Sequence, residues 1–74
     1  MVSFEFKSGE LEFFYGISTA NPPSLFLTIK SQSKPISYFS PTSLEELEQL
    51  LLSNGASLPP FAKSVLRQHH ERAA

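Results

Sequence analysis

The feature that most constrains this chain is a hairpin signal at its start, where VSFEFK and ELEFFYGI flank the dipeptide Ser8-Gly9. Two alternating apolar runs joined by a short glycine-containing turn predict a β-hairpin. The register predicted from this turn pairs Lys7 with Glu10, Phe6 with Leu11, Phe4 with Phe13, Val2 with Tyr15, Ser3 with Phe14 and Glu5 with Glu12. One face of the hairpin is then apolar, and the other is acidic and aromatic.

Size and composition limit the classes to which the chain can belong. It has 74 residues, 41% of them hydrophobic, including seven Phe and two Tyr, so we expect one domain (residues 1–74) with a dense core. The lack of cysteine excludes a disulfide framework and a thiolate metal site. No apolar run approaches the roughly 20 residues that cross a bilayer. Glu5 and Lys7 interrupt what would be a signal peptide, so we expect a soluble cytoplasmic protein.

The charged residues argue against several common activities. The formal net charge is −1 at pH 7, which provides no overall attraction to nucleic acid. All seven acidic residues are Glu, so the Asp-based motifs of calcium loops and phosphoryl transfer are missing. The net charge is uneven along the chain, because Lys63, Arg67 and Arg72 near the C-terminus stand against Glu71 alone, whereas the other six Glu precede residue 56.

Two further strands follow the hairpin. LFLTIK (25–30) alternates, with Leu25, Leu27 and Ile29 on one side. STANPPS before it and SQSK after it are rich in turn-forming residues. ISYFS then follows Pro35, and a proline at the start of a strand favours a position at the sheet edge.

The periodicity changes from two to that of a helix after residue 41. Capping boxes of Thr42 with Glu45 or of Ser43 with Glu46 can begin a first helix, in which leucines recur at helical spacing and which ends at Asn54-Gly55. A second helix begins within 57–60, with a cap residue followed by prolines in the first turn.

Strands followed by helices indicate an α+β fold, here a four-stranded antiparallel meander with two C-terminal helices packed on one face, in the order ββββαα. The predicted core consists of Val2, Phe4, Phe6, Leu11, Phe13, Tyr15, Ile17, Leu25, Leu27, Ile29, Phe39, Leu44, Leu47, Leu50, Leu51, Phe61, Val65 and Leu66. Because two helices can cover only one side of the sheet, the other side, which we call the open face, is left for solvent or for a partner.

The sequence contains no pattern typical of an active site or a metal site. Adjacent side chains such as His69 and His70 diverge by about 100° on a helix and do not easily chelate one ion. Glu5 opposite Glu12 resembles an acid–base pair, but on an exposed sheet face it is more simply a repulsive pair. We therefore expect no catalytic residue, no metal and no cofactor.

The open face is the strongest candidate for binding. Phe14 and Phe26 are out of phase with the core residues of their strands, and aromatic side chains beside polar ones often mark protein interfaces. The alternative is that these rings cover the edge of the core. The predicted partner-binding residues are Glu5, Glu12, Phe14, Phe26, Lys30 and Tyr38. Glu5, Glu10 and Glu12 would repel phosphate there, so a nucleic acid would bind to the cations of the second helix instead. The simpler explanation of these cations is that they stabilise the C-terminal end of the helix dipole.

The segment FSPTSLEELEQLLLSNGASLPPFAKSVLRQHHER (39–72) resembles the second half of small phage-encoded anti-CRISPR proteins of ββββαα architecture, among them an inhibitor of the type I-F surveillance complex. The similarity lies in the aromatic end of the last strand, the capped leucine-rich helix, the glycine-containing break and the polar final helix. It implies a sheet surface that docks on the repeated backbone subunits of the effector complex and blocks guide–target pairing in the host cytoplasm.

The function predicted from these features is a non-enzymatic inhibitor that binds a protein complex, with Phe14, Phe26 and Tyr38 as anchors and Glu5 and Glu12 as phosphate mimics or partners of basic residues. The main alternative is a small regulatory or accessory subunit, monomeric or homodimeric, that assembles through the open face or an edge strand. A nucleic-acid binder that uses the second helix is a third possibility.

Overall fold

The computed structural model describes residues 2–18, 23–32 and 34–72, with side chains described as far as His70. The elements within these ranges are the strands β1 (Val2–Ser8), β2 (Leu11–Ile17), β3 (Leu25–Ser31) and β4 (Lys34–Phe39), followed by the helices α1 (Leu44–Ser53) and α2 (Pro60–Arg72). Most of the predicted STANPPS turn and Ser33 of the SQSK turn lie outside the described residues.

The strands form one antiparallel sheet in the order β1-β2-β3-β4, and both helices follow it in the chain. This confirms the predicted ββββαα fold. Helix α1 packs against β3 and helix α2 packs against β2, so the helices lie over the two central strands. The strands β1 and β4 form the two edges of the sheet.

The predicted register of the first hairpin is wrong by two residues. Phe4 pairs with Tyr15, Phe6 pairs with Phe13, and the turn consists of Gly9-Glu10 rather than Ser8-Gly9. Gly9 has a φ of +62°, as the first central residue of a type II′ hairpin turn requires. Because side chains alternate with a period of two, a shift of two residues keeps every side chain on its predicted face.

The core lies between the sheet and the helices. The buried apolar residues that pack there are Phe13, Tyr15, Ile17, Leu25, Leu27, Ile29, Leu44, Leu47, Leu51, Ala56, Leu58, Ala62 and Leu66. The predicted members Val2, Phe4, Leu11, Phe39, Leu50 and Val65 are half-buried. The predicted core list did not include the small residues Ala56 and Ala62 or the linker residue Leu58, all of which are buried.

Two residues predicted for the core are exposed instead. The Phe6 side chain is 40% exposed and that of Phe61 is 73% exposed. Phe6 lies on an edge strand beyond the reach of the helices. Phe61 precedes the buried Ala62 by about 100° of helical rotation, which turns its ring away from the face that Ala62 and Leu66 bury.

The start of α1 follows the second predicted capping box with a modification. The Ser43 hydroxyl accepts a hydrogen bond from the backbone N–H of Glu46 at 3.1 Å. The Glu46 carboxylate accepts from the N–H of Thr42 at 2.9 Å and from its hydroxyl at 2.8 Å, one residue further back than in a standard capping box. These hydrogen bonds, first the one from the Thr42 backbone, lower the pKa of Glu46 below its usual value.

The second helix begins at Pro60, the last residue of the range 57–60 predicted for its start. The carbonyl oxygen of Pro59 accepts a hydrogen bond from the N–H of Lys63 at 2.9 Å, and the helix starts at Pro60. Ser57 is exposed and lies before the first turn, so it does not cap the helix. None of the described helices is long and apolar enough to cross a membrane.

Candidate functional site

The open face carries its side chains in rows that run across the strands. The first row contains Lys7, Glu12 and Lys30; the second contains Glu5, Phe14, Thr28 and Tyr38; the third contains Ser3, Gly16 and Phe26. All six predicted partner-binding residues therefore lie on this face of the sheet.

The first row alternates in charge. Glu12 lies between Lys7 and Lys30 as their neighbour on the adjacent strands, and Lys7 Nζ is 3.6 Å from Glu12 Oε1. The predicted pairing of Glu5 with Glu12 is wrong, because Glu5 lies opposite Phe14. The two lysines balance the two glutamates, so this face is not the acidic surface that the sequence suggested, and the resemblance to an acid–base pair is lost.

A small depression lies where the first two rows meet. Its volume is about 60 Å³, well below the roughly 300–1,000 Å³ of small-molecule sites. The residues that line it are Glu5, Phe6, Lys7, Glu12, Phe13, Phe14 and Lys30. Its size suits the tip of an inserted side chain, and its charged rim would orient such a group.

The three aromatic residues of the open face differ sharply in exposure. Tyr38 is 68% exposed and Phe26 only 9% exposed, while Phe14 is half-buried. The rings of Phe14 and Phe26 are tilted against each other with centroids 5.5 Å apart. Phe26 lies opposite Gly16, which has no side chain to fill the neighbouring position. The prediction that Phe26 is exposed is therefore wrong, and Tyr38 is the most exposed aromatic residue of this face.

An aromatic strip at the β1 edge, formed by Phe4, Phe6 and Phe61, was not predicted as a surface. The Phe61 ring stands edge-on against Phe4, with centroids 6.3 Å apart, and Phe6 continues the strip along the strand. The sequence prediction assigned all three rings to the core. The one signal that could have identified the strip is the assignment of β1 to a sheet edge, where side chains have a neighbouring strand on one side only.

The second helix does not assemble a free basic patch from the residues whose side chains are described. Lys63 Nζ is 3.3 Å from Glu48 Oε1 on α1, with both side chains half-buried. Arg67 is exposed, and the Arg72 side chain lies outside the described part of the chain. His69 and His70 are half-buried on α2.

Within the described ranges no group of three metal-ligating side chains lies together. Burial raises the pKa of the Tyr15 phenol above its usual value. No family model, no curated protein and no solved structure matches the chain.

Proposed function

We propose that this chain is a non-enzymatic protein-binding module that docks on a partner protein through the open face. The observation that carries the proposal is the exposure of Tyr38, 68% of whose side chain is accessible in the same row as Glu5 and Phe14. Tyrosine is enriched in interface cores because it combines a large apolar ring with a hydroxyl group. Phe14 belongs to this row, and its ring packs on that of Phe26 in the next row.

The charge pattern favours a protein partner over a phosphate backbone. Lys7, Glu12 and Lys30 alternate along one row, and Lys7 already pairs with Glu12. A surface with both signs in alternation suits a partner that also presents both signs, and it fixes the docking register. The inhibition would then be steric, because Glu12 is not free to act as a phosphate mimic.

The specific form that we propose is an inhibitor of a type I CRISPR effector complex that covers the backbone subunits. Its support is the resemblance of residues 39–72 and the ββββαα order of the elements. The test is binding of the purified chain to purified type I effector complexes, followed by binding of target DNA to the same complexes. We expect a stable association that prevents DNA capture. Lack of association with any type I complex would reject this form of the proposal.

A matched pair of variants tests the role of the open face. Tyr38→Ala removes an exposed ring from the open face, and Leu52→Ala removes an apolar side chain that is 52% exposed on α1. Both leave the core intact. A central aromatic anchor contributes about 2 kcal/mol or more, so Tyr38→Ala should weaken partner binding by about 30-fold. Equal effects of the two substitutions would contradict docking through the open face.

A second candidate function is an accessory subunit that assembles through the edge of the sheet, which the exposed aromatic strip of β1 favours. A nucleic-acid binder that uses α2 has weaker support, because Lys63 is engaged by Glu48. Such a binder would lose affinity steeply with salt and with Lys63→Ala and Arg67→Ala. Titration of labelled DNA and RNA at low salt separates it from the protein-binding proposals.

A further inference from the structure

We propose that two copies of this chain join edge to edge through β1, antiparallel, with a two-fold axis at Phe6, to form one eight-stranded sheet. This pairing uses the outer backbone edge of β1, with Glu5 and Lys7 of the open face beside it, and it does not depend on the identity of a partner. It follows from three properties of β1: its unprotected edge, the direction of its free backbone groups and the order of its charged side chains.

The outer edge of β1 is free to pair. Among the described strands only β2 pairs with β1, whose seven residues include no proline and show no register irregularity against β2. The opposite edge is protected, because β4 contains Pro35 and the β3–β4 register shifts between Ile29 and Lys30, which leaves Ile36 unpaired. Proline and bulges are devices that prevent edge-to-edge association, and β1 lacks both.

The hairpin turn determines which backbone groups of β1 point outward. Ser8 and Leu11 flank the two-residue turn and form the closing hydrogen-bonded pair. In an antiparallel ladder such pairs alternate, so Phe6 and Phe4 also bond to β2, whereas the N–H and C=O groups of Glu5 and Lys7 point away from it. A second antiparallel β1 must therefore place odd-numbered residues opposite odd-numbered residues.

Charge selects among the two-fold registers that satisfy this rule. A pairing centred on Glu5 places Glu5 opposite Glu5 of the second copy, and one centred on Phe4 places Glu5 opposite Ser3. The pairing centred on Phe6 places Glu5 opposite Lys7 twice, once on each side of the axis. Opposite charges at directly facing positions stabilise a strand pair, and like charges destabilise it. The order Glu5-Phe6-Lys7 is thus complementary to itself in this register.

The aromatic strip supports the same register. Phe6, 40% exposed, would meet Phe6 of the second copy on the helix side of the sheet, in a non-hydrogen-bonded pair where side chains approach most closely. Phe4 would lie opposite Ser8 of the second copy, which places the exposed ring of Phe61 beside the added strand. The junction would then cover rings that the single chain leaves in water.

The pairing would place both open faces on the same side of the extended sheet, because directly paired residues point to the same face. The product is a bivalent platform with two copies of the Tyr38 row. A repetitive partner would be bound by both copies at once, which raises the apparent affinity without a new contact.

Single cysteine variants test the register, because the chain has no cysteine of its own. Phe6→Cys places two thiols at the two-fold axis, with Cα atoms about 4.5–5.5 Å apart, within the range that a disulfide bridges. The matched control, Ser8→Cys, lies on the same strand and face but separates the thiols by about 13 Å along the strand. We expect rapid oxidation of Phe6→Cys to a covalent dimer and none for Ser8→Cys. Equal cross-linking of both variants would overturn the register.

Sedimentation of the unmodified chain and of charge variants tests the pairing without a cross-link. We expect a concentration-dependent dimer that Glu5→Lys dissociates and that an equimolar mixture of Glu5→Lys and Lys7→Glu restores as a heterodimer. Circular dichroism establishes that both variants are folded, since Lys7→Glu also removes the contact with Glu12. A wild-type chain that stays monomeric across the micromolar range, or a mixture that fails to associate, would overturn the proposal.

Discussion

Phe6 and Phe13 face each other across the first hairpin with ring centroids 6.0 Å apart, yet Phe13 is 1% exposed and Phe6 is 40% exposed. The difference arises because β2 lies under α2 and β1 lies at the edge. We expect Phe13→Ala to cost about 3–5 kcal/mol of unfolding free energy. Phe6→Ala should cost only about 1–2 kcal/mol, since part of its ring stays in water. Urea titrations measure both, and equal costs would contradict the exposure difference.

On the open face, too, we expect a buried and an exposed aromatic residue to differ in their effect on stability. Phe26→Ala removes a buried ring that packs on Phe14, and we expect it to cost about 3 kcal/mol of stability. Tyr38→Ala should change stability by no more than about 0.5 kcal/mol, as is usual for an exposed side chain. Thermal melts of the two variants provide the measurement. A strongly destabilised Tyr38→Ala would mean that this ring is part of the fold.

Gly16 is required by the close approach of β1. A Cβ atom built on Gly16 would lie 2.8 Å from the Cα of Ser3 and closer still to the carbonyl oxygen of Val2, both backbone atoms that cannot move alone. We expect Gly16→Ala to cost about 1–3 kcal/mol or more. Gly9→Ala is the contrasting variant, because its Cβ meets nothing within 4 Å and only its φ of +62° is unfavourable. It should cost about 1 kcal/mol, and chemical denaturation distinguishes the two.

Acidification should weaken the start of α1. The pKa of Glu46 is lowered in the folded chain by the hydrogen bonds from Thr42, so the stabilisation is present above the ordinary glutamate pKa and is lost as pH falls through the folded value. We expect Glu46→Gln to flatten the fall in stability below about pH 4.5. Glu45→Gln, in the same turn, serves as control. Denaturant midpoints at neutral and acidic pH provide the comparison, and an unchanged slope in Glu46→Gln would refute the assignment.

The turn between β3 and β4 holds a strained residue. Gln32 has a φ of +52°, a left-handed conformation that is unfavourable for a residue with a side chain. We expect Gln32→Gly to stabilise the fold by up to about 1 kcal/mol, since glycine accepts this conformation freely. Gln32→Val should have the opposite sign, because a β-branched side chain tolerates it least. Denaturation curves that place both variants on the same side of wild type would contradict this explanation.

Local patterns in the sequence were sufficient to predict the order of elements, the antiparallel meander and the face on which each strand residue lies. The alternation in β1, β2 and β3 has a period of two, so even the wrong hairpin register assigned Phe13 and Phe14 to the correct faces. The leucine spacing and the Ser43 cap likewise act within a few residues and predicted α1 directly.

Tertiary structure alone decided which residues on a given face meet water. The helices pack on the central strands, α1 on β3 and α2 on β2, so Phe6 on the β1 edge is exposed although its pattern is that of a core residue. Cross-strand neighbours decided the rest. Phe26 is buried opposite Gly16, and Glu12 lies between Lys7 and Lys30. These neighbours come from different strands, so no local sequence pattern specifies which residues meet.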